Sequence, residues 1–215
     1  MRRASDTAKQ NGSLAVEGGR DIAPIVNTLL ALTCFVVRIA TKDWHPPDHV
    51  SFASNHAGKK PFVDFATITN PLNSSETYES RLWPDHCVQN THGAQLVPEL
   101  DVARVDTIIE KGTHPEVEMY SAFYDPLQHP RFYDSGLAAA LRQKEVTHVY
   151  VVGLAWDYCV RATAIDSAKE GFKTYVVEEG SRAVDPAEWD KTRADLEAAG
   201  VEVVKMNGPE VARLK

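Results

Sequence analysis

Cysteine is scarce here. Three thiols in 215 residues are too few, and odd in number, for a disulfide framework, and suit a reducing compartment. No apolar run approaches the roughly 20 residues that a bilayer-spanning helix needs. Basic residues are in the minority, 23 Lys and Arg against 30 Asp and Glu, for a formal net charge of −7. The chain therefore has no electrostatic footprint for nucleic acid. Internal repeats and low-complexity segments are missing. The opening "MRRASDTAKQNG" has two arginines but no apolar core, so it does not read as a secretory signal. The closing "ARLK" is not the Ser-Lys-Leu peroxisomal address. The default is a cytoplasmic protein without membrane or nucleic-acid partners, with nuclear or peroxisomal residence and a homo-oligomer left open.

What is present suits one compact domain. The apolar fraction of 43% and four Trp support a sizeable core, with about 70% of the unfolded surface buried. Residues 21–31 place Ile22, Ile25, Val26, Leu29 and Leu30 on one helical face. A buried strand is expected over "CFVVRIA" (34–40), then a loop-rich stretch from about 43 to 95. "DTIIEKG" reads as a short strand ending at Lys111. Beyond it, "SGLAAALRQKE" and "DYCVRATAIDSAKEGF" read as helices around the strand "THVYVVGL". The strand "KTYVVE", the helix "PAEWDKTRADLEAAG" and the strand "VEVVKM" complete the pattern. This alternation predicts an α/β fold, a parallel sheet with helices on both faces. In such folds ligands bind outside the carboxyl ends of the strands, where Asp43, Lys111 and Ala155 all fall.

Cys159, just past the strand "VYVVGL", is expected in the first turn of a helix, where free N–H groups and the dipole lower a thiol pKa. The same N–H groups suit an oxyanion. A buried structural cysteine is the competing reading. Asp43 and His45 in "KDWHPPDHVSF" and His86 in "WPDHCVQNTHG" form a carboxylate and two imidazoles suited to a divalent transition metal. His49 is a further candidate ligand or a surface residue, and Cys87 reads as core. Lys111 either lies in solvent or stabilises an anion. Trp83, Tyr120 and Tyr158 either sandwich a flat ring or pack as core.

Together, "TKDWHPPDHVSFASNH", "LWPDHCVQNTHGAQL", "EKGTHPEVEMYSAF" and "VVGLAWDYCVRATAIDSAKEGFKT" resemble the nicotinamidases of the isochorismatase-like cysteine hydrolases, the fungal type in particular. The match runs from about residue 11 to residue 206, leaving residues 1–10 as a divergent tail before a domain over 11–215. The resemblance implies that Asp43, His45 and His86 hold zinc or a similar ion, that Cys159 is the nucleophile and that Lys111 is its partner. It further implies an oxyanion hole at Ala155, after a cis peptide, and ring contacts from Trp83, Tyr120 and Tyr158. The implied reaction converts nicotinamide and water to nicotinate and ammonia through a thioester, in NAD salvage.

The likeness fails at the start. The family opens with a central apolar strand ending in the Asp that serves as general base; an ungapped count puts that position on Arg2 and a second family Asp on Asp6. "MRRASDTAKQ" has no Val, Ile or aromatic residue and does not read as a buried strand. The sheet is thus expected to lack its first central strand and the site its acid, and the abrupt change predicts a truncated or mis-assigned start. Two other readings stay open: a non-catalytic metal- or ligand-binding member of the fold, and an amidase for another small amide.

Overall fold

The computed structural model describes residues 12–215; Arg2 and Asp6, on which the question of the missing acid turns, lie outside them. Helix α1 (Ala23–Leu30) starts with Pro24 in its first turn, where a missing N–H costs nothing. It precedes β1 (Ile39–Asp43), which pairs in parallel with β4 (Thr107–Lys111), Ile39 opposite Thr107 and Asp43 opposite Lys111. A second parallel sheet has the order β5 (His148–Leu154), β6 (Lys173–Arg182), β7 (Glu202–Val204). Helix α2 (Leu137–Gln143) precedes β5; α3 (Arg161–Lys169) and α4 (Trp189–Ala198) flank β6, and α5 (Pro209–Ala212) follows β7.

Successive residues of a strand face opposite ways, and β6 uses both sides. Val176 packs with Trp156, Ala164 and Leu196 on one face. Tyr175 and Val177 pack with Leu29, Val204 and Val211 on the other. The expected covering of a parallel sheet by helices on both faces is therefore present around β5–β6–β7. A third cluster, centred on Phe123, Leu137, Leu141 and Phe172, reaches Ile39 and Ile109 on one half-sheet and Val149 on the other. It spans two half-sheets between which the described residues supply no strand; the expectation of a missing first strand falls on residues outside the described ones.

Two expectations need correction. The strand expected over residues 34–40 begins only at Ile39. Its partner β4 starts at Thr107, so Arg38 meets Asp106 instead: the Arg38 N–H donates to Asp106 Oδ2 at 2.7 Å. Val36 is left 67% exposed. The stretch from 43 to 95 is not all loop. It contains an antiparallel hairpin, β2 (Phe65–Asn70) and β3 (Asn73–Arg81), in which Ala66, Ile68 and Asn70 alternate inward.

Trp156 is fully buried and stacks on Trp189 with ring centroids 4.3 Å apart, pinning the turn after β5 to α4. Trp156→Ala should cost about 3–5 kcal/mol, the range for truncating a large buried aromatic. A lowered urea midpoint with an unchanged slope is the expected result; an unaltered midpoint would remove this stack from the account.

Candidate active site

Two loops are zipped together above the carboxyl ends of β1 and β4. The Trp44 N–H donates to Lys111 O at 2.9 Å, extending the ladder by one residue, and the Gln89 N–H donates to His45 O at 2.8 Å. Isolated bridges pair His45 with Val88 and Phe52 with Trp83. The Asp43-x-His45 arm and the His86 loop are thereby held side by side. Phe52, fully buried, lies beneath both imidazoles, its ring centroid 5.6 Å from His45 and 5.5 Å from His86.

One ligating atom from each of Asp43, His45 and His86 falls within a 4.8 Å cluster. His45 Nδ1 donates to Gly112 O at 2.8 Å and His86 Nδ1 donates to Pro84 O at 2.8 Å, in the tautomers that these carbonyls select. That leaves each Nε2 as a lone-pair donor, the arrangement that orients metal-ligating histidines. Burial pushes the His45 pKa down to about 4, which keeps the ring neutral as a ligand must be. By donor set and tautomer, these residues fit a divalent transition metal.

His49 is not a surface residue: it is fully buried, Nδ1 against Ser51 Oγ at 2.8 Å. With His45 and Glu118 it forms a second group whose ligating atoms lie within 4.8 Å. Glu118 escaped the reading of the sequence. Its carboxyl is buried, which alone would raise its pKa, but His49, His45 and Lys111 hold it below the usual carboxylate range. An acid between two apolar residues, in "VEM" after β4, was the available signal.

The structure brings Lys111 and Cys159 together as expected. Lys111 is 3% exposed; its Nζ donates to Asp43 Oδ1 at 2.5 Å, to Met119 O at 3.1 Å and to Cys159 Sγ at 3.3 Å. Burial opposes the charge of this ammonium, and the Asp43 carboxylate more than restores it. Asp43 responds in kind: burial favours its neutral form, and Lys111 overrides that to hold it well below the ordinary range.

The expected activation of the thiol is not found. Cys159 lies in a single π-helical turn, Trp156–Val160, that precedes α3. Burial pushes its pKa up to about 11, and Lys111 offsets that only in part. Desolvation of the anion outweighs the helix end. Among the described residues Lys111 is the hydrogen-bonding partner of Sγ, and no carboxylate touches the sulfur. The Leu154–Ala155 peptide is cis as expected, and Ala155 is buried beneath the turn.

Trp83, Tyr120 and Tyr158 form one cluster. Trp83 Nε1 donates to Tyr120 Oη at 2.9 Å. The Tyr158 ring lies 4.7 Å from Trp83 and 5.3 Å from Tyr120, centroid to centroid. The cluster presents aromatic faces beside the thiol turn, since Tyr158 immediately precedes Cys159. Cys87 is buried, in keeping with a core role.

A Cys–Lys–Asp chain built on a buried lysine, beside a carboxylate–diimidazole group on a two-faced parallel sheet, defines a class of α/β cysteine hydrolase. Residues 49–207 match the isochorismatase domain, and the chain belongs to that family. It is 44% identical over 174 residues to a nicotinamidase of Acinetobacter baylyi, covering 81% of this chain and 75% of that one. The solved yeast nicotinamidase bound to the inhibitor nicotinaldehyde superposes with a TM-score of 0.87 at 34% identity, covering 94% of this chain and 95% of that one. The pyrazinamidase of Pyrococcus horikoshii in complex with zinc gives a TM-score of 0.70 at 32% identity, with 94% of each chain covered. Bacterial and yeast proteins appear alike, so the fungal type is not singled out.

Gly112 has φ +62°, and a Cβ there would lie 2.4 Å from His45 Cε1. Gly112→Ala must therefore displace the imidazole. After dialysis the unaltered chain should retain about one transition-metal ion, and the variant little or none; equal metal content by elemental analysis would refute the ligand set. Site-resolved iodoacetamide labelling tests the thiol. Modification of Cys159 should rise about tenfold per pH unit through roughly pH 8–10, because only the thiolate reacts. A plateau reached by neutral pH would contradict burial as the controlling influence.

Proposed function

We propose that this chain is a nicotinamide amidohydrolase, forming nicotinate and ammonia in NAD salvage. The observation that carries this reading is the convergence of Cys159, Lys111 and the Asp43–His45–His86 group in a chain so similar to nicotinamidases. We assign residues 11–215 to one hydrolase domain in a cytoplasmic protein, preceded by a tail over 1–10.

In this reading Asp43, His45 and His86 hold a zinc or similar ion, with His49 and Glu118 behind them. When bound, such an ion supplies a positive centre that fixes the pyridine nitrogen of the substrate. Trp83, Tyr120 and Tyr158 form the walls against which the flat ring packs. Cys159 Sγ attacks the carboxamide carbon, and the developing oxyanion is met by backbone N–H groups at Ala155 and Cys159. The C–N bond breaks, the sulfur's proton leaves with ammonia, and water then cleaves the thioester to restore the thiol. Lys111 steadies the sulfur anion as it forms.

The proton needs a carrier. A thiol with its pKa near 11 is not an anion at neutral pH, and among the described residues Asp43, the carboxylate that shares Lys111 with the sulfur, is committed to that ammonium. That observation favours a second reading, a ligand-binding member of the fold with little turnover. An amidase for a different small amide has less support, since the aromatic cluster suits a flat ring.

Ammonia release from nicotinamide by the zinc-loaded chain separates these. Cys159→Ala should abolish release, while a version extended by an apolar strand ending in Asp should exceed the unaltered chain by roughly 100-fold or more, the typical gain from a placed base. An extended version that is folded, metal-loaded and inert would rule out nicotinamide as substrate.

A further inference from the structure

The two strands of the β2–β3 hairpin contribute different chemistry to its inward face. Tyr78 of β3 lies opposite Ile68 of β2, and Ser80 opposite Ala66; Ile68, Ala66 and Ser80 are buried and Tyr78 nearly so. Burial of Ala66 and Ile68 holds the hairpin down without direction. The polar groups of β3 supply a defined partner, because hydrogen bonds demand distance and angle.

That partner is the segment from Val117 to Tyr120, which belongs to no helix or strand, although Val117, Glu118 and Met119 are all buried. A buried irregular segment has to find partners for its backbone outside a ladder. The Tyr78 hydroxyl provides two at once: it donates to Glu118 O at 2.9 Å and accepts from the Glu118 N–H at 3.2 Å. One phenol thus does the work of a neighbouring strand. Burial and the Glu118 carboxylate both raise its pKa, so it stays a donor. Two residues on, Tyr120 Oη accepts from Trp83 Nε1 and lies 3.3 Å from Ser80 Oγ. Alternate residues of β3 therefore hold Tyr120 twice, through the backbone leading to it and at the tip of its ring.

The three rings of the cluster are mutually inclined, Trp83 at 85° and Tyr120 at 57° to Tyr158, so they bound a flat ligand at its edge as well as its face. Given that this cluster receives the substrate ring, as in the function proposed above, we propose that Tyr78 and Ser80 are positioning residues that set the size of the slot through Tyr120. The strand β3 then decides how large a ring amide is admitted. Without the Tyr78 hydroxyl, both backbone groups of Glu118 are orphaned and draw in water; the segment retreats and the slot widens. Without Ser80 Oγ, Tyr120 keeps its bond from Trp83 and moves less. Glu76, also on β3, provides the control. Its carboxylate accepts from the Gln128 and His129 N–H groups at 2.8 and 3.0 Å, so it ties the same hairpin to a different segment.

Calorimetric titration of the zinc-loaded Cys159→Ala chain, in which nothing is hydrolysed, tests this. The probes are nicotinamide and nicotinamide methylated at the ring carbon meta to both the nitrogen and the amide. The chain should prefer the smaller ring by roughly tenfold or more, the usual discrimination for one methyl group in a fitted pocket. Adding Tyr78→Phe should reduce that preference to roughly twofold or less, and Ser80→Ala should reduce it by roughly threefold, in line with the loss of one hydrogen bond. Glu76→Ala should leave it unchanged. A loss of folded protein scales both affinities together and leaves their ratio alone, so the ratio separates positioning from stability. If Tyr78→Phe does not fold, Ser80→Ala decides. The proposal is overturned if the chain binds both rings alike, if neither β3 variant moves the ratio, or if Glu76→Ala moves it as much. A chain that binds neither ring overturns it together with nicotinamide as substrate, whereas nicotinamide bound with an unmoved ratio removes the role of β3 alone.

Discussion

Burying the Lys111 ammonium is the constraint on which the rest of the arrangement depends. A charge 3% exposed costs several kcal/mol unless an opposite charge and hydrogen bonds meet it. Asp43, the Met119 carbonyl and the Cys159 sulfur meet it from three directions. Asp43 ends β1 and Cys159 follows β5, so one ion pair joins the functional ends of two half-sheets that share no ladder. The same pairing orients the Asp43 carboxylate toward the imidazoles and keeps it ionised.

Around that centre the chain spends its loops on rigidity. The two segments above β1 and β4 are pinned by backbone bridges, by Phe52 beneath the imidazoles and by a glycine that no other residue replaces without striking His45. The imidazoles are thus oriented by packing and carbonyls, before any ion is considered. The thiol side has a different anchor. Its turn hangs from β5 and is fixed by the Trp156–Trp189 stack.

Much of this was legible in the sequence because it follows from local rules. Continuous apolar strands between amphipathic helices revealed the layered sheet, and the motifs around Asp43, His86, Lys111 and Cys159 revealed which side chains converge. What failed depended on partners distant in the chain. "CFVVRIA" has strand composition throughout, yet among the described residues no strand pairs with its first residues. The hairpin of β2 and β3 is built from Thr, Ser, Asn and Glu, whose strand character comes from pairing rather than apolarity. The thiol pKa was misread because a turn's dipole is visible in sequence, whereas the desolvation that outweighs it comes from surrounding packing. Glu118 and the burial of His49 were hidden for the same reason.

The protonated state of Cys159 has a consequence for the protein's lifetime. Peroxide converts thiolates, not thiols, to sulfenic acid, and low-pKa accessible cysteines are the ones so modified. A half-buried sulfur held as the neutral thiol is chemically quiet between encounters. Exposed Cys34 is the thiol that meets oxidants first, so oxidative damage should accumulate away from the reactive centre.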